Sequence, residues 1–401
     1  MITNRELFLT NVAQTSDFPL ALEIERAKGL YLFGTAGQVY MDLISGIGVS
    51  NVGHRHPKVV DAIKNQVDKY LHLMVYGEYV QTPQVELAEA LVDSLVPTAA
   101  LAGRYAPIDN VYFTNSGTEA VEGAMKLAKR YTGRQEIISC FNAYHGATQG
   151  ALSLAGSEHF RQNFRPLLPD IRHIRHGVLE DLDLITTKTA AIVIEIIAGE
   201  AGVRVPTKAY SHALRQRCDE TDTLLILDEI QTGFGRTGSF WAFEQFGIYP
   251  DILLSAKGMG GGMPIGAFMA NHAIMGVLKT NPILGHITTF GGHPVSSAAS
   301  LATLKVIQEE KLIDDVAHKA ALFRELLVHP KIKEVRNQGL MMAVEFEDFD
   351  ELKPIIDRCI DKGVITDWFL FCDNSMRIAP PLIITEKEIR KACGVILEAI
   401  D

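Results

Sequence analysis

Five short apolar runs constrain the fold of this chain more than any other feature of its sequence. They are rich in Val, Ile and Leu and do not alternate strictly with polar residues, which is typical of strands covered on both faces. Helical patterns lie between them, for example from Glu119 onward and from Tyr210 to Thr221. Strands that alternate with helices predict an α/β fold, with a mostly parallel sheet flanked by helices. The runs are Val111–Phe113, Glu136–Cys140, Ala190–Ile194, Leu224–Leu227 and Ile252–Leu254.

The two ends of the chain differ from this central region. The last hundred residues combine helix patterns at Val295–Glu310, Asp314–Val328 and Glu386–Ala399 with short strand-like pieces, which predicts a smaller α+β domain. The first 45 residues lack the central pattern, and we expect them to pack with that smaller domain. A length of 401 residues suits such a division. The predicted segments are residues 1–45, 46–294 (the large, ligand-binding domain) and 295–401.

Charge and composition exclude several classes of partner and site. The formal net charge of −10 argues against a nucleic acid or an anionic membrane as partner. No apolar run approaches the ~18 residues of a membrane helix, and the N-terminus lacks the apolar core of a signal peptide, so we expect a cytoplasmic protein. The five cysteines are scattered, without a CxxC pair. His54 and His56 have no ligand-bearing residues beside them in sequence, so we predict no metal site.

Polar residues follow four of the apolar runs, where the carboxyl ends of parallel strands share one edge of a sheet. Ser116-Gly117-Thr118-Glu119 follows the first run and has the spacing of a capping box. Its backbone N–H groups, at the positive end of a helix, suit a phosphate, although a plain helix cap is the alternative. Glu195 and Glu200 follow the run at Ala190–Ile194.

Asp228 and Lys257 follow the remaining two runs. A carboxylate at the end of a buried strand needs a cation or hydrogen-bond donors, and a protonated pyridine nitrogen is one such cation. A structural Asp that caps the next segment is the alternative. A lysine just after a buried strand is unusual, and its neighbours would lower its pKa and free the amine for Schiff-base chemistry. A surface lysine beside a flexible glycine-rich loop is the alternative.

Six stretches of the chain closely resemble the signatures of class III pyridoxal-5′-phosphate (PLP) aminotransferases of fold type I, the family of acetylornithine and ornithine aminotransferases. They keep the order of that family and cover nearly the whole chain. The resemblance implies a PLP enzyme with the fold type I architecture and a homodimer with shared active sites. The stretches are Gly46–Pro57, Asn115–Arg130, Asn142–Gly146, Glu195–Val203, Leu224–Phe268 and Thr288–Val295.

The resemblance also implies roles for individual residues. Lys257 resembles the Schiff-base lysine that moves the proton between Cα and the cofactor, and Asp228 resembles the partner of the pyridine nitrogen. Glu200 resembles a gate glutamate that pairs with an arginine, for which Arg377 is the candidate; a planar guanidinium would bind a substrate carboxylate in a bidentate manner. The other implied cofactor contacts are Ser116 as the cap beside the phosphate, Gly117 and Thr118 at the phosphate, Tyr144 stacked on the ring, His145 near the ring, Gln231 at O3′, and Thr289 from the neighbouring subunit.

One departure from the family concerns the substrate. Related enzymes carry an arginine after the aromatic-His/Trp-Gly motif, whereas this chain has Ala147 after Gly146. Alanine cannot bind a carboxylate, so a second carboxylate clamp is absent or comes from elsewhere. Arg161, Arg165 and Arg172 are the candidates, and the amino donor stays open.

We therefore predict an enzyme that transfers an amino group from an amino acid or a terminal amine to a 2-oxo acid, either 2-oxoglutarate or pyruvate. A PLP-dependent racemase, aminomutase or decarboxylase on the same fold is the alternative, because the cofactor supplies the same electron sink to all of them. A non-catalytic binding protein on this fold is a further alternative.

Overall fold

The computed structural model describes residues 2–401, so that Met1, the first residue of the predicted N-terminal segment, lies outside the described residues. Fifteen strands lie within those residues. They are β1 (Ile24–Lys28), β2 (Tyr31–Gly34), β3 (Val39–Asp42), β4 (Asn110–Thr114), β5 (Glu136–Cys140), β6 (Ile171–Ile174), β7 (Thr189–Ile194), β8 (Leu224–Asp228), β9 (Ile252–Ser255), β10 (Gly266–Ala270), β11 (Glu334–Gln338), β12 (Met341–Glu345), β13 (Val364–Ile365), β14 (Asp367–Phe369) and β15 (Cys372–Ile378).

Thirteen α-helices, several of a single turn, lie in the same residues. None of them is both long enough and apolar enough to cross a membrane. They are α1 (Asn4–Asn11), α2 (Ser45–Gly48), α3 (Pro57–Val67), α4 (Thr82–Asp93), α5 (Gly117–Thr132), α6 (Gln149–Leu154), α7 (Glu158–Arg161), α8 (Lys208–Thr221), α9 (His272–Met275), α10 (Pro294–Glu309), α11 (Val316–Leu326), α12 (Phe349–Asp361) and α13 (Glu386–Ile400).

The central sheet confirms the predicted α/β fold. Its seven strands run in the order β4-β10-β9-β8-β7-β5-β6, and all neighbours are parallel except β10, which is antiparallel to both β4 and β9. All five apolar runs of the sequence are strands of this sheet. Strands β7, β8 and β9 are buried along their whole length, because helices cover both faces of the sheet. The carboxyl ends of β4, β5, β7, β8 and β9 therefore meet at one edge.

Two strands of the central sheet, β6 and β10, were not predicted from the sequence. Strand β6 has the sequence IRHI, in which two polar residues interrupt the apolar pattern of a buried strand. Strand β10 has the sequence GAFMA, which contains no β-branched residue and begins with a glycine. Gly266 is required there because a Cβ would lie 2.4 Å from the backbone oxygen of Ser116. Burial between β4 and β9, rather than strand propensity, makes this segment a strand.

Two smaller sheets involve the ends of the chain. Strands β1, β2 and β3 form an antiparallel meander, and β13 adds to β3 in parallel register. The second sheet has the order β11-β12-β15-β14 and is antiparallel throughout. The apolar cluster beneath it joins residues of the N-terminal segment, such as Leu30 and Met41, to residues of the C-terminal helices, such as Ile389.

Helix α10 contributes its apolar face to the core around the central sheet. Its residues Leu304 and Ile307 belong to the same apolar cluster as Val59 of α3 and Leu87 of α4. Helix α11 begins at Val316 and belongs instead to the cluster that contains the second small sheet. The predicted domain division at residues 45/46 and 294/295 stays a prediction, and α10 is the element on which its second boundary depends.

Candidate active site at the carboxyl edge of the central sheet

A cavity of about 520 Å³ opens at the edge where the parallel strands end. The four polar segments that follow the apolar runs all contribute to its wall, so the predicted convergence is present. Of the predicted site residues, those that line the cavity are Ser116, Gly117, Thr118, Tyr144, His145, Glu200, Asp228, Gln231 and Lys257. Arg377 and Thr289 are not among its lining residues, within the part of the chain that the structure describes.

Lys257 lies two positions beyond the end of strand β9, after Ala256, and begins a single 3₁₀ turn. Its φ of 44° lies in the left-handed region, which is disfavoured for a residue with a side chain and is held here by the surrounding structure. Gly258 follows it, and a Cβ at that position would lie 2.6 Å from Nδ2 of Asn51. Burial lowers the pKa of the Lys257 ammonium, while nearby Glu200 opposes that shift. The site therefore favours a neutral amine more than water does.

Asp228 ends strand β8 and forms a buried pair with His145. The Nδ1 atom of His145 lies 2.7 Å from Oδ2 of Asp228, and the backbone N–H of Ile230 donates to Oδ1 at 3.0 Å. The Nε2 atom of His145 has no partner among the described residues. Burial lowers the pKa of His145, but the hydrogen bond to Asp228 and the negative charge of that carboxylate outweigh burial and raise the pKa overall. His145 was predicted to lie near a cofactor ring; its contact with Asp228 was not predicted.

Glu195 adds a fourth ionisable group to the wall of the cavity, after Lys257, Asp228 and His145. It is buried, and only its Oε1 atom has a partner, the backbone N–H of Gly199 at 3.4 Å. Burial raises the pKa of Glu195 to about 8, with the negative charges of Asp228 and Glu200 acting in the same direction. A carboxyl group with an unpartnered buried oxygen is costly unless it is protonated or meets a ligand.

The start of helix α5 (residues 116–118) and the loop after β5 (residues 144–147) form another part of the cavity wall, which we call the α5 cradle. Ser116 caps the helix through a hydrogen bond from the backbone N–H of Glu119 at 3.4 Å. The return half of the predicted capping box is different, because the Glu119 carboxylate accepts from the N–H of Asn115 rather than from that of Ser116. Gly146 has a φ of 133°, and a Cβ there would lie 2.2 Å from Oγ1 of Thr118.

The hydroxyl group of Thr118 belongs to a short chain of hydrogen bonds behind the cradle. It lies 2.8 Å from Oγ1 of Thr148, which donates to the Glu122 carboxylate at 2.6 Å. The N–H of Gly150 donates to the same oxygen at 2.8 Å. These contacts fix the loop after β5 against helix α5.

Glu200 separates Arg377 from the cavity. The two carboxylate oxygens of Glu200 accept from Nη1 and Nη2 of Arg377 at 2.8 and 3.0 Å, and both side chains are buried. Nε2 of Gln231 donates to Glu200 at 3.2 Å, and its Oε1 has no partner among residues 2–401. The positive charge of Arg377 overcomes burial and lowers the pKa of Glu200. The pair that the sequence predicted is therefore formed, and Glu200 presents itself to the cavity in place of the arginine.

Two further predicted residues lie at or beyond the mouth of the cavity. Tyr144 is 36 % exposed and lines the opening. Thr289 is exposed on the surface, in a segment that follows a loop with several exposed apolar residues. Its prediction as a contact donated by a neighbouring subunit stays a prediction.

The three arginines considered as a replacement clamp do not line the cavity. Arg161 and Arg165 both contact Glu158, and Arg172 lies 3.2 Å from the Glu136 carboxylate. Ala147 does line it. Among the described lining residues, Lys257 is thus the only lysine or arginine.

Sequence reasoning missed three charged residues around the site. Glu229 is buried and accepts from the backbone N–H groups of Ala242 and Phe243, so it holds the loop after β8. Arg236 is fully buried and donates to the carbonyl oxygens of Leu340 and Pro380. Asp367 lies 3.0 Å from Nε of Arg377. Asp367 and Arg377 lie ten positions apart in the sequence and meet only because strands β14 and β15 pair. Their contact could therefore not be read from the sequence.

The two half-buried histidines that follow the N-terminal segment, His54 and His56, have structural partners. Nε2 of His54 lies 2.8 Å from the Asp42 carboxylate, and His56 lies 3.5 Å from Glu310. Residues 2–401 contain no cluster of three or more His, Cys, Asp or Glu residues arranged to hold a metal ion.

The residues of the cavity fit PLP. A phosphate suits the N-terminus of α5, where glycines at 117 and 146 leave room. A carboxylate at 228 suits a protonated ring nitrogen, and an amine of lowered pKa at 257 suits the aldehyde. The unpartnered buried oxygen of Gln231 and nitrogen of His145 are polar atoms that a bound group would satisfy.

Comparisons with known proteins agree with this chemistry. The family model for "Aminotransferase class-III" matches residues 12–400. The acetylornithine aminotransferase of Methanocaldococcus jannaschii is 40% identical over 92% of this chain and 91% of its own length, and that of Methanopyrus kandleri is 37% identical over 96% and 95%. The solved ornithine aminotransferase of Toxoplasma gondii, with PLP at partial occupancy in its active site, superposes with a TM-score of 0.90 at 30% identity, covering 100% of this chain and 94% of that one.

Proposed function

The chain belongs to the class III aminotransferases, PLP-dependent enzymes of fold type I that transfer an amino group to a 2-oxo acid, and we propose that Lys257 and Asp228 are its catalytic residues. The observation that carries the proposal is that both side chains line one cavity, with the α5 cradle also in its wall. The family match favours amino transfer over the racemase, aminomutase and decarboxylase activities that the sequence left open, and over a non-catalytic protein.

The residues of the cavity divide the work between cofactor and substrate. Bound PLP supplies the electron sink for the bond that breaks at the substrate Cα. Asp228 holds a proton at the pyridine nitrogen, and His145 orients Asp228 through the hydrogen bond at 2.7 Å. The neutral amine of Lys257 accepts the proton from the substrate Cα and passes it to the cofactor. The lowered pKa of Lys257 favours the neutral amine that this transfer requires.

The remaining contacts hold the cofactor in place. The backbone N–H groups of Gly117 and Thr118, and the Thr118 hydroxyl, bind the phosphate at the positive end of helix α5. Tyr144, at the mouth of the cavity, would stack on the cofactor ring, and Gln231 would hydrogen-bond its O3′ atom. Thr289 of a second subunit completes the phosphate site, which makes the active unit a homodimer.

Glu200 and Arg377 select between substrates. With Glu200 in place, the arginine is covered and the cavity accepts an amine that has no carboxylate at this position. When Glu200 moves aside, Arg377 binds the carboxylate of a 2-oxo acid in a bidentate manner. One site therefore accepts two chemically different substrates in turn.

Ala147 points to the class of amino donor. Because the cavity offers no second arginine for a carboxylate beside the reacting carbon, a donor whose amino group is terminal fits better than an α-amino acid. The curated relatives named above are acetylornithine aminotransferases, and we infer a donor of the same general kind, with a terminal primary amine and 2-oxoglutarate or pyruvate as acceptor.

A substrate panel tests this proposal. Terminal amines, ω-amino acids and α-amino acids are each supplied to the PLP-loaded enzyme with 2-oxoglutarate or pyruvate, and formation of the aminated acceptor is measured. We expect terminal amines to give kcat/KM values at least about tenfold above those of α-amino acids other than glutamate and alanine, which are the aminated acceptors and must react in the reverse direction. Equal or better use of those other α-amino acids would contradict the donor assignment.

The role of Arg377 is tested separately in the same assay. Arg377→Ala is expected to raise KM for the dicarboxylate acceptor by about tenfold or more, with KM for a terminal amine changed far less. Arg377→Lys keeps the positive charge between Glu200 and Asp367 and serves as the folded control if the alanine variant is unstable. An unchanged acceptor KM in both variants would rule out the proposed role.

A further inference from the structure

Two carboxylates surround the guanidinium of Arg377, although one would balance its positive charge. Glu200 occupies the edge formed by Nη1 and Nη2, and Asp367 lies 3.0 Å from Nε on the adjacent edge. Burial raises the pKa of Asp367 to about 6, so above that pH both carboxylates are ionised and these three side chains together carry a net charge of −1. The carbonyl oxygen of Trp368 accepts from Nη2 at 3.0 Å and adds further negative potential.

The two carboxylates are held by different kinds of backbone. Asp367 lies on strand β14, directly opposite Arg377 in the register of the β14–β15 pair. The Oγ1 atom of neighbouring Thr366 donates to the carbonyl oxygen of Arg377 at 2.6 Å and strengthens that register. Glu200, in contrast, lies in a turn after strand β7. The strand pairing therefore fixes Asp367 against the arginine. The backbone of Glu200 is also tied to this hairpin, because its carbonyl oxygen accepts from the N–H of Phe371 at 3.1 Å, so an exchange at this edge requires rotation of the Glu200 side chain.

The aromatic ring of Phe369 completes the enclosure of the guanidinium. Its centroid lies 4.6 Å from Cζ of Arg377, and the ring is buried. The guanidinium therefore has three contacts that do not depend on Glu200: Asp367 at ion-pair distance from Nε, a backbone carbonyl at Nη2 and an aromatic face nearby. The edge that faces Glu200 is the one that can exchange partners.

We propose that Asp367 is a positioning and specificity-determining residue, which fixes Arg377 on its strand and weakens the attraction of the exchangeable edge for the incoming acceptor carboxylate. The proposal rests on the proposed role of Arg377 in substrate binding. When an acceptor carboxylate takes the place of Glu200 at this edge, Glu200 moves aside but stays in the site. The site as a whole therefore gains a negative charge, and repulsion among its carboxylates, to which Asp367 contributes, opposes binding. A weaker hold on the acceptor favours release of the product dicarboxylate before the next amine enters.

Two substitutions of Asp367 separate the effect of its charge from its effect on the position of Arg377. Asp367→Asn keeps an oxygen that can face Nε of Arg377 and removes the charge. Asp367→Ala removes both and leaves the buried Nε of Arg377 without a facing carboxylate. Its folding is checked by circular dichroism, and Asp367→Asn alone decides the test if the alanine variant does not fold. Asp373, exposed on strand β15 within the same sheet, provides the matched control Asp373→Asn.

Binding of a non-reacting dicarboxylate is the direct test. Glutarate is titrated into the PLP-loaded proteins at pH 8 by calorimetry, with its dimethyl ester as the uncharged control. We expect Asp367→Asn to bind glutarate about fivefold or more tightly than wild type, Asp367→Ala to show a smaller gain, and Asp373→Asn to match wild type. In steady state, KM for 2-oxoglutarate should fall by a similar factor in Asp367→Asn, with KM for the amine donor unchanged.

The outcomes distinguish this inference from the proposed function. If neither Asp367 variant binds glutarate more tightly than wild type, while Arg377→Lys binds it more weakly, the role of Asp367 is overturned and that of Arg377 stands. If Arg377→Lys binds glutarate as wild type does, both are overturned. Equal tightening of the dimethyl ester would also overturn the inference, because a charge effect cannot act on an uncharged ligand.

Discussion

Lys257, Asp228, His145 and Glu195 lie close enough at the floor of the cavity to influence one another's protonation. Burial disfavours the charged forms of Lys257, His145 and Glu195, but their partners decide the outcome. His145 is hydrogen-bonded to Asp228, whereas Glu195 has one backbone donor and no cation in contact. Its carboxyl is therefore protonated near neutral pH, and burial lowers the pKa of Lys257 in the direction that amino transfer requires. At the scale of single residues, the site is a set of groups whose proton affinities are separated by their surroundings.

Glu195 gives a pH dependence of stability that can be measured without activity. Because its folded pKa of about 8 lies above the unfolded value, Glu195 contributes stability that is complete below about pH 4.5 and is lost as the pH rises through 8. Glu195→Gln keeps a neutral side chain of the same shape. We expect the unfolding free energy of the PLP-free Gln variant to fall less between pH 5 and pH 8 than that of wild type, by about 2 kcal/mol or more.

Urea unfolding at the two pH values measures this difference. Glu325→Gln, on the exposed face of helix α11, removes one carboxylate without burial and should follow wild type. Equal pH slopes for Glu195→Gln and wild type would show that Glu195 is ionised in the folded protein.

The sequence identified the residues with distinctive chemistry at strand ends and missed those whose role depends on pairing. Lys257 and Asp228 stand out because a charge directly after a buried strand is unusual, and both line the cavity. Asp367 and Arg236 give no such signal, since their partners lie on segments that approach only in the folded chain. The contact between His145 and Asp228 also joins positions 83 residues apart, which no spacing rule could indicate.

At the scale of elements, helix α5 and the loop after β5 make the phosphate cradle together. The cap at Ser116 and the glycine at 117 were readable from the sequence, because a helix start has a local signature. The contribution of Gly146 could not be read from the sequence, because it depends on how closely the backbone of Gly146 approaches Thr118. Strand β10 was missed for a similar reason, since burial between two neighbours makes it a strand.

Gly146→Ala tests the cradle at this scale. The new Cβ would lie 2.2 Å from Oγ1 of Thr118 and 2.9 Å from its Cα, so the loop or the start of helix α5 has to move. We expect the affinity for PLP to fall by about tenfold or more, equivalent to about 1.4 kcal/mol, measured by fluorescence titration of the PLP-free protein.

Gly37→Ala is the matched control for that experiment. Gly37 also has a positive φ, of 86°, but a Cβ there meets no atom within 4 Å. It shares the backbone strain of the Gly146 variant without the collision. If both variants bind PLP as wild type does, the loop after β5 does not shape the phosphate site.

At the scale of the whole molecule, exposed apolar side chains line one groove, and we expect a second copy of the chain to cover it. Val80 is 94% exposed and Ile283 is 74% exposed, and both line one groove of about 710 Å³. Thr288, next to Thr289, lines the same groove. A homodimer through this face would bury the apolar residues and bring Thr289 toward the cavity of the partner.

Val80→Asp tests that assembly. A charge at the centre of an apolar interface is costly, so we expect wild type to sediment as a dimer and the variant to shift toward monomer with a loss of amino-transfer activity. Val328→Asp, at a 73% exposed valine just beyond helix α11, introduces the same charge outside the groove and should remain a dimer. A wild-type protein that is monomeric and active would contradict the shared active site.

The identity of the lysine that holds PLP is the most direct test of the whole account. The PLP-loaded protein is reduced with borohydride and digested, and the peptide that retains the cofactor is identified by mass spectrometry. We predict that the cofactor remains on the peptide that contains Lys257, and that Lys257→Ala retains none and loses amino transfer. Cofactor fixed to a different lysine, or full activity in Lys257→Ala, would contradict the account.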